Sequence, residues 1–276
     1  MKLIDKKIVV IGAAGGIGTQ LVCELLKNGA TVWSLDAAEE ALFVLAQKTV
    51  EYGSKHHTKV LDINNLEELN ALKEDVLAGP VDILINCCAY LRSGLFIDIP
   101  LAESQKTAQT CFTGLITSTL HFLDDMHKNG TGTIVNILSI GSKYPTPIIS
   151  AYSAAKAGSW HFHRSLQNEL ELMDSKVKLV AVFPGFVRTN LLKIGRRNGF
   201  PRELSWIAES PEKIAGAIVS GIKKDKSVIN PSFGGLMTLL FAQLFGWTLF
   251  KIAKYLNRIG IDIRRKIAEV NREDKP

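Results

Sequence analysis

Lys7-Ile-Val-Val-Ile-Gly12-Ala-Ala-Gly-Gly16-Ile-Gly18-Thr-Gln-Leu-Val-Cys-Glu-Leu-Leu-Lys27 reads as a strand, a glycine turn and the start of a helix. The first five residues are a short apolar, β-branched run, and the residues after Gly18 have helical character. A turn rich in glycine lets the backbone approach a phosphate closely at the positive end of a helix, so these parts together can hold the pyrophosphate of a dinucleotide. The spacing is Gly-x-x-x-Gly-x-Gly, built from Gly12, Gly16 and Gly18 around Ile17, rather than the commoner Gly-x-Gly-x-x-Gly. Working outward, apolar strand candidates recur at 7–11, 31–35, 57–61, 81–85, 133–138 and 177–183, with helical stretches between them. Val228 to Pro231 supplies a last strand. Such alternation predicts an α/β fold, a doubly wound parallel sheet with helices on both faces.

The strand Thr31-Val-Trp-Ser-Leu35 ends at Asp36, followed by Ala37 and Ala38. A carboxylate here accepts hydrogen bonds from a ribose 2′-hydroxyl and repels a 2′-phosphate, and no arginine follows to receive one. This favours NAD over NADP. Farther along, Thr133-Ile-Val-Asn-Ile-Leu-Ser139 reads as a buried strand ending at a small polar residue. Ala151-Tyr152-Ser-Ala-Ala-Lys156 then places a phenol and an ammonium four residues apart, on one helical face. An ammonium favours the phenolate, which makes the tyrosine a usable acid or base. A serine that holds an oxygen, a tyrosine that passes its proton and a lysine that tunes the tyrosine form a carbonyl/alcohol redox site, given a hydride carrier nearby.

With these motifs together, and with Pro184-Gly185-Phe-Val187-Arg-Thr189, the chain resembles the short-chain dehydrogenase/reductase superfamily over about residues 3–231. The resemblance implies a Rossmann-like single domain in which Ser139, Tyr152 and Lys156 are catalytic and Lys156 also binds the nicotinamide ribose. It assigns to the cofactor site Gly12, Gly16, Ile17, Gly18, Asp36, Asn86, the segment Pro184, Gly185, Val187 and Thr189, and Asp62 with Ile63, the acid contacting the adenine amino group. It also implies a homodimer or homotetramer, with the helix candidates 107–128 and 150–174 at an interface. Two departures stand out. The family's Asn-Asn-Ala-Gly reads Asn86-Cys87-Cys88-Ala89, which leaves less backbone freedom beside the cofactor. The fourth catalytic residue of the family, an asparagine that helps hold a water linking the lysine to solvent, is Cys111 here, a poorer hydrogen-bonding group.

The chain has 276 residues, 46% of them hydrophobic, which suffices for one α/β domain with an appendage. The four cysteines (Cys23, Cys87, Cys88, Cys111) lack metal-ligand spacing. They read as free thiols in a reducing compartment. Met1 to Lys7 leads straight into a strand with no signal-like segment, so a cytoplasmic location is expected. The His56-His57 pair and His161/His163 lack companion ligands, and no metal is expected. The net charge of +6 sits at one end: residues 1–222 hold 22 basic and 22 acidic groups, whereas 223–276 hold 11 and 5. That asymmetry points to an anionic partner surface.

Residues 190–210 occupy the place of the family's substrate lid. Leu192, Ile194, Phe200, Trp206 and Ile207 either line an apolar pocket or pack on the core. Ser210-Pro211 then opens a helix, with serine as cap. Residues 232–276 form a helical C-terminal extension, first apolar and then basic. Phe233 to Phe250 carries no charge, and Lys251, Lys254 and Arg258 follow on one helical face, then Arg264-Arg265-Lys266. Three placements compete: crossing a bilayer, lying in a membrane interface, or packing on a partner subunit or the substrate pocket. The interfacial reading, a peripheral membrane contact, fits the separation of apolar and basic residues best. Nucleic acid is not expected, because the basic residues follow aliphatic stripes and not a stacking platform. The expectation is an NAD-dependent oxidoreductase interconverting a small lipophilic secondary alcohol and its carbonyl. An NADPH-dependent carbonyl reductase and a non-catalytic, dinucleotide-sensing or membrane-associated scaffold are the alternatives.

Overall fold

The computed structural model describes residues 1–75, 79–146, 148–189, 192 and 208–232. In chain order the principal elements are β1 (Lys7–Ile11), α1 (Gly16–Lys27), β2 (Thr31–Asp36), α2 (Glu39–Lys48), β3 (His56–Val60), α3 (Leu66–Asp75) and β4 (Ile83–Asn86). There follow α4 (Leu101–Ala108), α5 (Gly114–Lys128), β5 (Thr133–Ile137), α6 (Ser150–Leu172), β6 (Lys178–Val182), α7 (Pro211–Lys223) and β7 (Val228–Ile229). The strands form one seven-stranded sheet in the order β3-β2-β1-β4-β5-β6-β7. Every pairing is parallel; Ile11 stands between Leu35 on one side and Asn86 on the other.

Alternate residues of a strand point to opposite faces, and both faces are covered, which is why the inner strands are largely apolar and not alternating, whereas the edge strand β3 is polar and half-buried. Ile8 and Val10 of β1 face α1 and α7, in a core with Leu21, Leu25, Ile214 and Ile218. Val9 and Ile11 face the other way, in a core with Leu69 of α3, Phe122 and Met126 of α5, and Leu166 and Leu170 of α6. Both layers are as the alternation of elements predicts. α7 begins as its sequence implies: the Ser210 hydroxyl accepts from Lys213 N at 3.3 Å, with proline in the first turn. The helix expected over 107–128 is longer and interrupted. α4 runs into a π turn at Gln109–Thr113 before α5 continues. Such a turn re-aims side chains and carbonyls and recurs at functional sites.

Strand order reverses between β1 and β4. In an open parallel sheet the crevice beyond the carboxyl ends of those two strands is where a ligand fits. Of the expected lid, Leu192 and Ala208 to Ser210 are described. Ile194, Phe200, Trp206, Ile207 and the tail from Phe233 lie outside the described residues. Among the described residues, no helix is long and apolar enough to cross a membrane.

Candidate active site

The crevice at the β1/β4 switch is a cavity of about 730 Å³. The glycine turn forms its floor. Gly12 has φ +82°, and a Cβ there would stand 2.6 Å from Cys88 N, so only glycine lets the turn pack under the end of β4. A Cβ on Gly16 would stand 2.5 Å from Thr189 Cγ2, and one on Gly18 would stand 2.1 Å from Gly12 O. The turn therefore presses against both the β4 end and the 184–189 segment. α1 starts here with no acidic side chain in its first turn, so its positive end faces the cavity uncompensated.

Asp36, at the end of β2, accepts from Ala14 N at 2.9 Å and from Ala38 N at 3.0 Å. Its neighbours on the wall are Ala37, Ala38 and Ala41, none of them basic. Asp62 and Ile63, after β3, line the same end, and the Asp62 carboxylate accepts from Asn64 N and Nδ2 at 2.9 Å each. Ile17, Pro184, Gly185, Val187, Thr189 and Leu192 complete the lining on the turn and β6 sides. An uncompensated helix terminus, a glycine floor and an anchored carboxylate are a donor and acceptor set that suits a dinucleotide.

Ser139, Tyr152 and Lys156 share the lining at the β5 end. Ser139 is extended and caps a short turn. Its hydroxyl accepts from Gly141 N at 3.0 Å, its own N–H donates to Ser142 Oγ at 3.2 Å, and its side chain also hydrogen-bonds Tyr152. Lys156 is 2% exposed, and its Nζ donates to Ile137 O at 2.8 Å and to Cys88 O at 3.5 Å. A buried ammonium needs such acceptors. The expectation that the ammonium would bring the phenol toward neutrality is not met in this geometry. Burial pushes Tyr152 well above its ordinary value, and the bond to Ser139 only opposes that. Lys156 Nζ is turned to the two carbonyls and lies 6.0 Å from the phenol ring centroid.

Two of the expected site residues stand apart from the lining. Asn86 is 3% exposed and belongs to a buried polar network. It donates to Asn136 Oδ1 at 2.9 Å and to Thr119 Oγ1 at 3.2 Å, and it accepts from Ser118 Oγ at 2.8 Å. Its amide is thereby committed to β5 and α5, not to the crevice. Cys111, 1% exposed, lies in the π turn behind the wall. Its Sγ donates to Tyr90 O and accepts from Tyr90 N, both at 3.4 Å, and its carbonyl accepts from Ser159 Oγ at 2.8 Å. Burial raises the thiols of Cys87, to about 12, and of Cys88, so neither is a ready nucleophile.

Sequence reasoning missed several wall residues, among them Tyr90, Leu91, Lys106, Ile148 and Ile149. Tyr90 donates to Glu103 Oε2 at 2.5 Å, with Lys106 Nζ 4.7 Å from its ring centroid. Only its place after Asn86-Cys-Cys-Ala89 hinted at a position on the wall.

A model of the short chain dehydrogenase family matches residues 6–198. This chain belongs to the short-chain dehydrogenases. Ketoacyl reductase HetN of Nostoc sp. is 30% identical over 275 residues, covering 97% of this chain and 94% of HetN. An alignment of that extent necessarily runs through most of the stretch after Pro231. Among solved structures, a short-chain dehydrogenase/reductase of Burkholderia phymatum in complex with NAD has a TM-score of 0.78 at 20% identity, over 88% of this chain and 95% of that one. A short-chain dehydrogenase of Burkholderia cenocepacia in complex with NADP has a TM-score of 0.74 at 21% identity, over 90% and 97%. These two share the fold, and between them they hold both dinucleotides. Family membership makes this short-chain dehydrogenase an oxidoreductase.

Proposed function

We propose that this short-chain dehydrogenase interconverts a lipophilic secondary alcohol and its carbonyl, with NAD as the hydride carrier. The observation that carries the reading is the convergence of Ser139, Tyr152 and Lys156 on the same crevice as the glycine turn and Asp36. Asp36 supports NAD over NADP, because its carboxylate is fixed by two backbone amides and the lining residues that follow it, Ala37, Ala38 and Ala41, carry no charge. A dinucleotide would be held by the α1 terminus, by Asp36 at a ribose and by Lys156 at the nicotinamide end. NAD supplies a hydride acceptor, and its reduced form a hydride donor.

This chain's own residues handle the proton. Toward the carbonyl, Tyr152 is the acid: burial keeps its phenol protonated at neutral pH, ready to donate to the forming alkoxide oxygen. Ser139, fixed by Gly141 N, holds that oxygen by a second hydrogen bond. Lys156 brings a positive charge near the phenol and stabilises it once the proton has left. In the other direction the same phenol oxygen receives the hydroxyl proton. The apolar wall of Leu91, Ile148, Ile149 and Leu192 and the similarity to a ketoacyl reductase support a lipophilic substrate. The test is Tyr152→Phe. Turnover on a panel of lipophilic alcohols and ketones is expected to fall at least ~10²-fold while NAD affinity by titration stays near wild type. A variant with near-normal rates would sink the assignment of the proton to Tyr152.

A further inference from the structure

Among the described residues, four non-glycine residues have positive φ: Asp5, Ile148, Asp174 and Asp225. The three aspartates are ordinary occupants of the left-handed region, since a short polar side chain tolerates it at turns. Ile148, at φ 64°, is not. A β-branched residue crowds its own backbone there and stays only where the surroundings hold it. The surroundings do so visibly. Ile148 O accepts from Gly94 N at 2.8 Å, which ties the segment before α6 to the loop after β4. Gly94 itself has φ 152°, a conformation that suits glycine. One residue later, Ile149 O accepts from Ser153 N at 2.9 Å and begins α6, the helix that carries Tyr152.

Both loops joined by this bond form the wall of the crevice. Leu91 comes from the β4 loop, and Ile148 and Ile149 come from the other. Ile148 lies four residues before Tyr152, so the strained residue borders the end where the substrate sits. Asp36 and Asp62 mark the opposite end. Nothing in the sequence around it requires an isoleucine: a glycine would adopt φ 64° without strain.

We propose that Ile148 is a specificity-determining residue. Its left-handed backbone, held by the Gly94 bond, aims a branched side chain at the substrate end of the crevice and limits the bulk of the alkyl arm accepted beside Tyr152. The inference rests on the alcohol/carbonyl reading of the site. A hydrophobic wall discriminates by the volume it fills, and losing most of an isoleucine side chain opens room for several methylenes.

The test uses the full chain with NADH and a ladder of 2-alkanones from 2-butanone to 2-dodecanone, plus cyclohexyl and phenyl methyl ketones. Binding is read by calorimetric titration and turnover by NADH absorbance. Ile148→Ala and Ile148→Gly are expected to shift preference, as a ratio of bulky to small ketone, by about tenfold or more toward bulky, the range that changes in a hydrophobic pocket produce. The shift should appear in KM and in binding, with the NADH dissociation constant unchanged. Ile148→Gly should in addition melt no lower than Ile148→Ala, because it relieves the left-handed backbone, whereas Ile149→Gly, at an ordinary φ, should melt lower than wild type. Ratios within twofold of wild type in both Ile148 variants overturn the proposal, as does a wild-type protein that binds no ketone of the ladder. Turnover with unshifted ratios refutes the role of Ile148 and leaves the oxidoreductase reading standing. Shifted binding without hydride transfer refutes that reading and leaves Ile148 in place.

Discussion

Asn86→Ala separates a cofactor contact from a structural one. The family resemblance puts Asn86 at the dinucleotide, whereas its amide here makes three hydrogen bonds inside the sheet–helix layer. Alanine removes all three. Ser118 Oγ keeps its bond to Leu115 O at 3.1 Å and so retains an acceptor. Thr119 Oγ1 and Asn136 Oδ1 each lose a donor, and Asn136 sits at 0% exposure, where water has little access. At roughly 1 kcal/mol net per bond, the loss comes to about 3 kcal/mol. For a domain of this size that corresponds to a fall in Tm of ~6–12 °C. The assay is thermal unfolding of wild type and variant, each with and without saturating NAD, together with NAD titration well below the variant's Tm. NAD affinity is expected to stay within about threefold, since Asn86 does not line the crevice. A Tm within ~2 °C of wild type, or a tenfold loss of NAD affinity in a protein of unchanged Tm, would refute the reasoning.

Asp36→Ala combined with Ala37→Arg should move the preference from NAD toward NADP; tighter binding of NADPH than of NADH by the native protein, read by titration, would contradict the role given to Asp36. Cys111→Asn keeps a side chain able to both donate to and accept from Tyr90 and should hold kcat within about threefold, whereas Cys111→Ala releases that backbone and should lower Tm by ~2–4 °C. A large loss of rate in a well-folded Cys111→Asn would show that the thiol does something more than clamp. Stability should fall as pH drops from about 6.5 to about 4. His163 is held neutral by burial, its pKa lowered to about 4, and its Nδ1 accepts from Asn136 Nδ2, so over that window the unfolded chain takes up a proton that the native one refuses. The contribution is on the order of 3 kcal/mol, and urea melts at pH 7 and pH 4.5 should show it, with a shallower pH slope in His163→Gln. Full-length protein should co-sediment with anionic liposomes more than a form truncated after Pro231 does; equal amounts in the supernatant would defeat the membrane placement of the tail.

What was legible in the sequence was what local pattern dictates. The inner strands are largely apolar runs because both faces of a parallel sheet are covered, and the glycine turn, Asp36 and Ser139 each sit at the carboxyl end of a strand or just after it, with Tyr152 and Lys156 on the helix α6 that follows β5. Position along the chain therefore translated directly into position on the crevice. The misplacements arise where a side chain's partner is far away in sequence. Asn86 ends β4 like the lining residues that follow it, but its amide meets Asn136 and Ser118, 50 and 32 residues on. No local pattern announces that network. Ile148 was invisible for a different reason. Its unusual backbone goes with a long-range bond from Gly94, and a β-branched residue is among those least expected in that conformation. Cys111 lies between the two cases. The resemblance marked it as a departure that puts turnover in doubt, because a thiol is a weak partner compared with an amide. In place, the thiol still meets both the N–H and the carbonyl of Tyr90, and its own carbonyl is oriented by Ser159. The geometry asks of residue 111 a group that both donates and accepts, with its backbone carried in a π turn. A cysteine meets that demand at sulfur distances, so the substitution is weaker grounds for a silent enzyme than the sequence alone made it.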